Sequence, residues 1–239
     1  MNQFIKKNIE KLKRSEYPGR GIIIGMSPDE KYAVQVYWIM GRSKNSQNRV
    51  FKKENNFLKN EVYDTSKVVD KSLIIYYSMK NIKDTHIVTN GDQTETIYKH
   101  LQNNDSFEKA LNKRSFEPDE PNYTPRISGI INPLKSESKY KLSIIKSLNN
   151  NPEVCVRNYF NYSDYIPGIG HCITTYKDNG SPLPSYKGEP IEVPIYDDIA
   201  KTIDFYWDVL NENFRISIAA KYINLKSNDF TIEIKNKHQ

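Results

Sequence analysis

Short apolar runs, rich in β-branched residues and separated by polar turns, recur through most of this chain of 239 residues. Residues 21–25 and 32–40 form two such runs on either side of the turn at residues 27–30, which predicts a β-hairpin. Because both runs are apolar at almost every position, we expect this hairpin to be buried on both faces. The same pattern predicts further strands at residues 72–78, 86–89, 126–131, 140–146, 153–159, 172–176, 215–225 and 230–234.

Helical periodicity is confined to the N-terminus and to two later groups. Ile5, Ile9 and Leu12 share one stripe of residues 2–14, which predicts a short amphipathic helix or a frayed extension. Further helices are predicted at residues 94–102, 106–112 and 197–210. Many strands with few, grouped helices are typical of an α+β fold in which helices cover antiparallel sheets. We expect a helical extension over residues 1–16 and a single domain over residues 17–239, because no long polar linker divides the chain.

The charge of the chain is positive but dispersed. There are 35 basic and 29 acidic residues, a formal net charge of +6, and 27 of the basic residues are lysines spread along the whole sequence. Proteins that bind phosphate groups or recognise nucleic-acid bases favour arginine over lysine, so we do not expect a nucleic-acid partner.

No stretch approaches the ~18 apolar residues of a membrane span, so no membrane partner is expected either. Two cysteines and four scattered histidines fit no metal site and favour a reducing cytoplasm.

The polar loop at residues 41–49 (GRSKNSQNR) is the first candidate for chemistry. Arg42, Ser43, Asn48 and Arg49 place guanidinium, hydroxyl and amide donors on a short segment, which suits a phosphate group. An ordinary hydrophilic hairpin connection accounts for the loop equally well. Arg20 adds to the functional interpretation, since three of the eight arginines fall within thirty residues.

Two later segments combine turn residues with polar side chains. In residues 89–94 (TNGDQT), a turn followed by a helix cap is sufficient to account for the pattern; the alternative is that Asn90 carries its amide into a pocket at the strand end. Residues 116–126 (FEPDEPNYTPR) hold three carboxylates and three prolines, which predicts a stiff, non-helical segment leading into a strand. One carboxylate there would suit acid–base chemistry if burial tuned its pKa, although most such stretches are exposed acidic loops.

The segment at residues 168–176 (GIGHCITTY) offers weaker signals. Its Gly-x-Gly precedes a strand instead of following one and opening a helix, so it is not a dinucleotide-binding motif. His171 and Cys172 are adjacent, which is poor geometry for a nucleophile and its base. We therefore expect Cys172 to be a buried structural thiol.

Taken in order along the chain, these segments resemble the archaeal-type IMP cyclohydrolase family over roughly residues 17–225. The residues that carry the resemblance are Tyr17-Pro-Gly-Arg20, Arg42-Ser43 with Asn48-Arg49, Thr89-Asn90-Gly91 with Thr94 and Thr96, Glu117 with Asn122 and Thr124-Pro-Arg126, and Ile173-Thr-Thr-Tyr176. The helix at residues 2–14 and the loop at residues 180–188 are additions to the family pattern.

The resemblance implies a fold and a reaction. The fold is the four-layer αββα sandwich of N-terminal nucleophile hydrolases, with two stacked antiparallel sheets between helices. The reaction is the closure of 5-formamidoimidazole-4-carboxamide ribotide to IMP in purine biosynthesis, with loss of water and without metal or organic cofactor. The hydrolase relatives use a Cys, Ser or Thr at residue 1; no such residue precedes Tyr17 in the matching region, so we expect no self-processing chemistry.

The resemblance also implies roles for individual residues. Glu117 falls on an active-site glutamate and is expected to act as general base or as the acid for the departing water. Tyr76 falls on an active-site tyrosine that donates to the formyl oxygen or relays a proton, with Tyr77 as the adjacent alternative. Asn90 is expected to orient the carboxamide. The expected substrate ligands are Arg42, Arg49 and Arg20 for the phosphate, Ser43 and Asn48 in support, and Arg126 for Glu117 or the substrate.

Alternative functions remain open at this point. The same scaffold could bind purine nucleotides or ribotides without turnover, or act as an amide hydrolase, although the missing terminal nucleophile counts against the hydrolase. Tyrosine-rich segments such as residues 159–165 could form a homo-oligomer interface.

Overall fold

The computed structural model describes residues 2–67, 75–132 and 137–238. Its helices are α1 (Gln3–Arg14), α2 (Lys44–Gln47), α3 (Gln93–Gln102), α4 (Phe107–Leu111) and α5 (Ile199–Val209), with one 3₁₀ turn at Thr65–Lys67. Its strands are β1 (Gly21–Met26), β2 (Tyr32–Met40), β3 (Arg49–Glu54), β4 (Phe57–Val62), β5 (Tyr76–Ile82), β6 (Thr85–Thr89), β7 (Arg126–Ile131), β8 (Tyr140–Leu148), β9 (Asn151–Tyr162), β10 (Ile169–Thr174), β11 (Ile191–Pro194), β12 (Arg215–Asn224) and β13 (Phe230–Asn236).

The strands form two sheets in which every strand pair is antiparallel. The first sheet has the order β11-β10-β1-β2-β12-β13 and the second the order β3-β4-β5-β6-β7-β8-β9. The chain crosses from the first sheet to the second through residues 41–48. This crossing therefore lies at the ends of β2 and β3, where the two sheets meet.

Three apolar clusters define the layers of the sandwich. Ile22, Tyr37 and Ala219 of the first sheet pack against Val88 and Leu142 of the second, which makes the layer between the sheets. The outer face of the first sheet is covered by α1 and α5, and the outer face of the second by α3 and α4. The order of layers is helix, sheet, sheet, helix, so the expectation of an α+β sandwich with helices on both outer faces is confirmed.

The β1–β2 hairpin is the centre of the first sheet. Every residue of β1 is buried, and so are eight of the nine residues of β2, as their continuous apolar pattern predicts. Helix α1 is also packed: Ile5 and Leu12 are buried, and the Asn8 side chain donates to the Glu192 carbonyl at 2.9 Å. Residues 2–14 are thus an ordered helix on the first sheet and not a frayed extension.

Some elements differ from the sequence prediction. Strands β3, β4 and β11 and the short helix α2 were not predicted, and β9 is longer at both ends than the expected residues 153–159. The predicted strand at residues 72–78 lies partly outside the described residues, and the observed β5 begins at Tyr76. Within residues 2–67, 75–132 and 137–238, every helix is too short or too polar to span a bilayer.

Candidate active site

A cavity of about 390 Å³ opens where the crossing between the sheets meets the segment before β7. Five of the residues expected in a substrate site line it, namely Arg20, Arg42, Ser43, Arg49 and Glu117. The other lining residues are Tyr17, Asn45, Ser46, Asp119, Asn122, Thr124, Tyr176 and Leu183. The lining is mostly polar, and its charged members come from segments far apart in the sequence.

Two buried guanidinium groups form the floor of this cavity. Arg20 is 8% exposed and Arg49 is 6% exposed, and the Nε atom of each has no hydrogen-bond partner among the described residues. Burial lowers the pKa of Arg49, and the charge of Arg20 lowers it further. Burial also opposes the charge of Arg20, but Glu117 and neighbouring tyrosines outweigh it and raise the pKa of Arg20. The cavity therefore presents a positive charge whose hydrogen bonds are incomplete.

Local backbone features place both arginines. Gly19 has a φ of +74°, and a Cβ there would collide with Thr175 and Tyr176, so glycine lets the chain pass close to β10. The next residue, Arg20, is fixed by its backbone N–H, which donates to Thr175 Oγ1 at 3.1 Å. Arg49 is the first residue of β3, directly after the crossing.

Glu117 is the buried carboxyl of the site. Its side chain is 5% exposed, its backbone N–H donates to the Thr124 carbonyl at 2.9 Å, and its Oε1 lies 4.0 Å from Arg126 Nη1. Burial raises the pKa of Glu117, and the charges of Arg20, Arg126 and Arg49 only partly oppose this. A raised pKa makes a carboxylate a better proton acceptor and keeps the acid form to higher pH, which is the direction that general acid–base catalysis favours.

Tyr76 does not line the cavity, but three residues that do line it act on its charge. Its hydroxyl is 2.8 Å from the hydroxyl of Tyr37, and its ring is buried within electrostatic range of Arg49, Arg20 and Glu117. The adjacent Tyr77 instead donates its hydroxyl to Glu54 Oε2 at 2.6 Å, away from these groups. Of the two tyrosines considered for the site, the structure brings only Tyr76 to the arginines and Glu117.

Arg42 and Ser43 occupy the rim. Ser43 is the N-cap of α2 and forms a capping box with Ser46, so the donor-rich loop contains a helical turn. Arg42 is exposed; its Nη1 donates to Asn179 Oδ1 at 2.6 Å and to the Gly180 carbonyl at 2.9 Å. Arg42 therefore links the rim to the loop at residues 178–190.

Three further residues expected in the site do not line the cavity, and two of them are asparagines. The amide of Asn48 pairs with the backbone of Asp64, donating at 2.8 Å and accepting at 2.7 Å. The amide of Asn90 donates to the Pro125 carbonyl and accepts from the Ile127 N–H, both at 2.9 Å. Both side chains hold backbone segments together behind the site.

Arg126, the third of these residues, lies behind Glu117. Its Nε donates to the Ser115 carbonyl at 2.9 Å, and its Nη1 lies 2.8 Å from Gln93 Oε1 and 2.7 Å from Asp92 Oδ1. These contacts fix the Arg126 guanidinium, whose Nη1 lies 4.0 Å from Glu117 Oε1, and its expected role toward Glu117 or the substrate stays a prediction.

The sequence pattern did not assign roles to several residues of this region. Asp119 accepts from the Thr124 N–H at 2.6 Å, and the Thr124 hydroxyl is 2.5 Å from that of Tyr176, so three lining residues form a hydrogen-bonded chain. Thr124 and Tyr176 lie within motif segments, which was the available signal. Tyr37 had none, because it lies inside an apolar strand.

A second, larger cavity of about 770 Å³ lies between the β8–β9 hairpin and residues 182–189. Lys146 and Lys187 line it with Glu189, but none of the candidate site residues does. The smaller cavity is the candidate active site, because it combines buried, incompletely bonded guanidinium groups with a buried carboxyl. In the described part of the chain, no cluster of three or more His, Cys, Asp or Glu side chains could hold a metal.

The comparison with known protein families covers most of the chain. The model of the IMP cyclohydrolase-like protein family matches residues 17–228, which include every residue that lines the cavity. The chain therefore belongs to the IMP cyclohydrolase-like family. No curated protein matches the chain.

Proposed function

We propose that this member of the IMP cyclohydrolase-like family closes 5-formamidoimidazole-4-carboxamide ribotide to IMP, with loss of water. The observation that carries the proposal is the cavity in which Arg20 and Arg49 are buried beside Glu117, in a chain that matches the family over residues 17–228. We also propose that the sandwich is of the N-terminal nucleophile hydrolase type, which its order of layers supports. The cytoplasmic setting and a homo-oligomer remain predictions.

The ribotide phosphate is the group that the arginines fit best. An arginine stays charged in a protein, so burying two of them without complete hydrogen bonding is costly unless a ligand supplies an anion. Phosphate oxygens accept charge-assisted hydrogen bonds from guanidinium groups in the geometry that arginine favours. In this proposal Arg20 and Arg49 hold the phosphate, while Arg42 and Ser43 contact the ribotide at the rim.

The closure itself is an intramolecular reaction. The carboxamide nitrogen attacks the formyl carbon and passes one of its two hydrogens to the formyl oxygen. The formamide nitrogen then loses its hydrogen as the carbon–oxygen bond breaks, and water leaves. Holding the two arms at a reacting distance of about 3–3.5 Å supplies much of the acceleration, so no covalent enzyme intermediate is required.

Glu117 and Tyr76 are the proposed proton carriers. Because burial raises the pKa of Glu117, this carboxyl can take the proton from nitrogen and return it to the departing hydroxyl. Tyr76 is proposed to donate a hydrogen bond to the formyl oxygen as negative charge develops there.

The direct test is to mix the purified chain with the formamido ribotide and to monitor its conversion to IMP by the change in absorbance. We expect IMP to form above the uncatalysed rate, and Arg49→Met to raise KM at least about tenfold through loss of a charge-assisted contact. Arg14→Met is the matched control, because Arg14 is 83% exposed on α1. IMP binding without any turnover would instead support a non-catalytic nucleotide-binding protein, and unchanged KM in Arg49→Met would remove Arg49 from the phosphate site.

A further inference from the structure

Two phenol hydroxyls meet behind the cavity, and only one of them belongs to the expected site. Tyr37 is fully buried in β2, and its hydroxyl lies 2.8 Å from that of Tyr76, the first residue of β5 in the opposite sheet. The Tyr37 ring is stacked on Phe51 at 5.4 Å between ring centres. The two hydroxyls therefore join the two sheets, and the packed ring of Tyr37 orients its hydroxyl toward Tyr76.

The direction of this hydrogen bond follows from the surroundings. Among the described residues, Tyr76 is the only hydrogen-bond partner of the Tyr37 hydroxyl. If Tyr76 donated, the proton of Tyr37 would be buried without an acceptor, which costs about 1–3 kcal/mol. If Tyr37 donates, the Tyr76 proton stays available to a ligand bound among Arg49, Arg20 and Glu117, which lie within electrostatic range of Tyr76. The favoured arrangement has Tyr37 as donor and the Tyr76 oxygen as acceptor.

We propose that Tyr37 is a positioning residue that directs the Tyr76 proton toward the cavity and strengthens Tyr76 as a hydrogen-bond donor. The proposal rests on the proposed function, in which Tyr76 donates to the formyl oxygen. A phenol that accepts one hydrogen bond becomes a better donor of another, since hydrogen bonds in a chain polarise one another. Burial raises the pKa of Tyr76, while Arg49, Arg20 and the bond from Tyr37 act in the opposite direction.

Tyr37→Phe tests this role, because it removes the hydroxyl and keeps the stacked ring. We expect kcat to fall about fivefold while KM stays within about twofold, since one neutral hydrogen bond is lost and the phosphate contacts remain. The alkaline limb of the pH profile of kcat should move to higher pH. Tyr206→Phe is the matched control: Tyr206 is equally buried and donates one hydrogen bond, to the Pro194 carbonyl at 2.5 Å, on the outer side of the first sheet.

A second measurement does not depend on turnover. With ¹³C-labelled tyrosine, the ring-carbon resonance of Tyr76, assigned with Tyr76→Phe, should titrate at higher pH in Tyr37→Phe than in the unaltered chain. If the unaltered chain shows no turnover at all, the proposed function is refuted. The titration of Tyr76 would still show whether Tyr37 donates a hydrogen bond to it. An unchanged Tyr76 titration, or a fall in kcat no greater than in Tyr206→Phe, would overturn the proposal.

Discussion

Two regions of this molecule bury basic side chains whose hydrogen bonds are incomplete. They differ in whether the buried group can lose its charge. In the candidate active site, Arg20 and Arg49 face a cavity beside Glu117. In the layer between the sheets, Lys221 of β12 is fully buried opposite Gln35 of β2, and the Nζ of Lys221 has no hydrogen-bond partner among the described residues. The first region lines a cavity, whereas the Lys221 side chain is closed off from solvent.

The difference lies in the chemistry of the two cations. An arginine cannot lose its proton in a protein, so its charge has to be met by an anion. A lysine can become neutral, and burial lowers the pKa of Lys221 to about 7. Its Nζ lies 3.6 Å from the centre of the Phe230 ring, and nearby His86 has a pKa lowered to about 3, mainly by burial. Burial thus favours loss of the proton in the lysine region, whereas the arginine region keeps its charge, which the proposed function uses to bind an anion.

Glu117→Gln should change the arginine region most strongly, because it removes the carboxyl that acts on both buried guanidinium groups. We expect kcat to fall by about hundredfold or more, since an amide neither takes nor gives the required proton. KM should change little, as the guanidinium groups remain. The measurement is steady-state turnover of the ribotide, with the exposed Glu10→Gln as control; a kcat within about tenfold of the unaltered chain would contradict the role.

Arg20→Met tests the link between the buried cation and the carboxyl. Of the three arginine charges that lower the pKa of Glu117, that of Arg20 acts most strongly, so its removal should raise the Glu117 pKa further. The limb of the kcat pH profile that reports Glu117 should then move to higher pH, and KM should rise about tenfold. An unmoved limb in pH profiles recorded beside Arg14→Met would show that Arg20 and Glu117 are not coupled.

Lys221→Met tests the second region through stability. The unfolded lysine keeps its proton up to a pKa of about 10.5, while the folded one releases it near pH 7, so the unfolded state binds more protons between these values. Stability of the unaltered chain should therefore rise with pH in this window, by about 1 kcal/mol per pH unit.

The Lys221→Met variant should lose this slope and be about 1–2 kcal/mol more stable at pH 7, with turnover unchanged. Denaturant unfolding at several pH values measures both effects, and the exposed Lys226→Met is the control. An equal slope in Lys221→Met and the unaltered chain would show that the buried lysine keeps its proton.

The sequence predicted the fold best where strands are buried on both faces. β1 and β2 are apolar at almost every position, and short β-branched runs of this kind, bounded by turn residues, favour a buried strand over a helix. β3 and β4 were missed because their exposed positions are charged. Their cross-strand ion pairs, Lys52 with Glu61 and Lys59 with Glu54, exist only once the strands are paired.

The site was predictable only in part for a related reason. Arg20, Arg49 and Glu117 stand in segments whose polar pattern is visible, but their meeting in one cavity depends on how the two sheets pack. Asn48 and Asn90 carry the same kind of signal, yet their amides bond to backbone groups. Sequence shows that a polar side chain is available, and only the tertiary structure shows which atoms it contacts.

Arg42→Ala compares an exposed arginine with a buried one in the same cavity, because Arg42 and Arg49 both line it but Arg42 is exposed. Water already solvates its charge, and Asn179 and Gly180 already accept its hydrogen bonds, so a ligand gains less from it. We expect KM to rise only about threefold, against at least tenfold for Arg49→Met in the same assay. Equal losses in the two variants would mean that position at the cavity, and not burial, determines what a guanidinium contributes to binding.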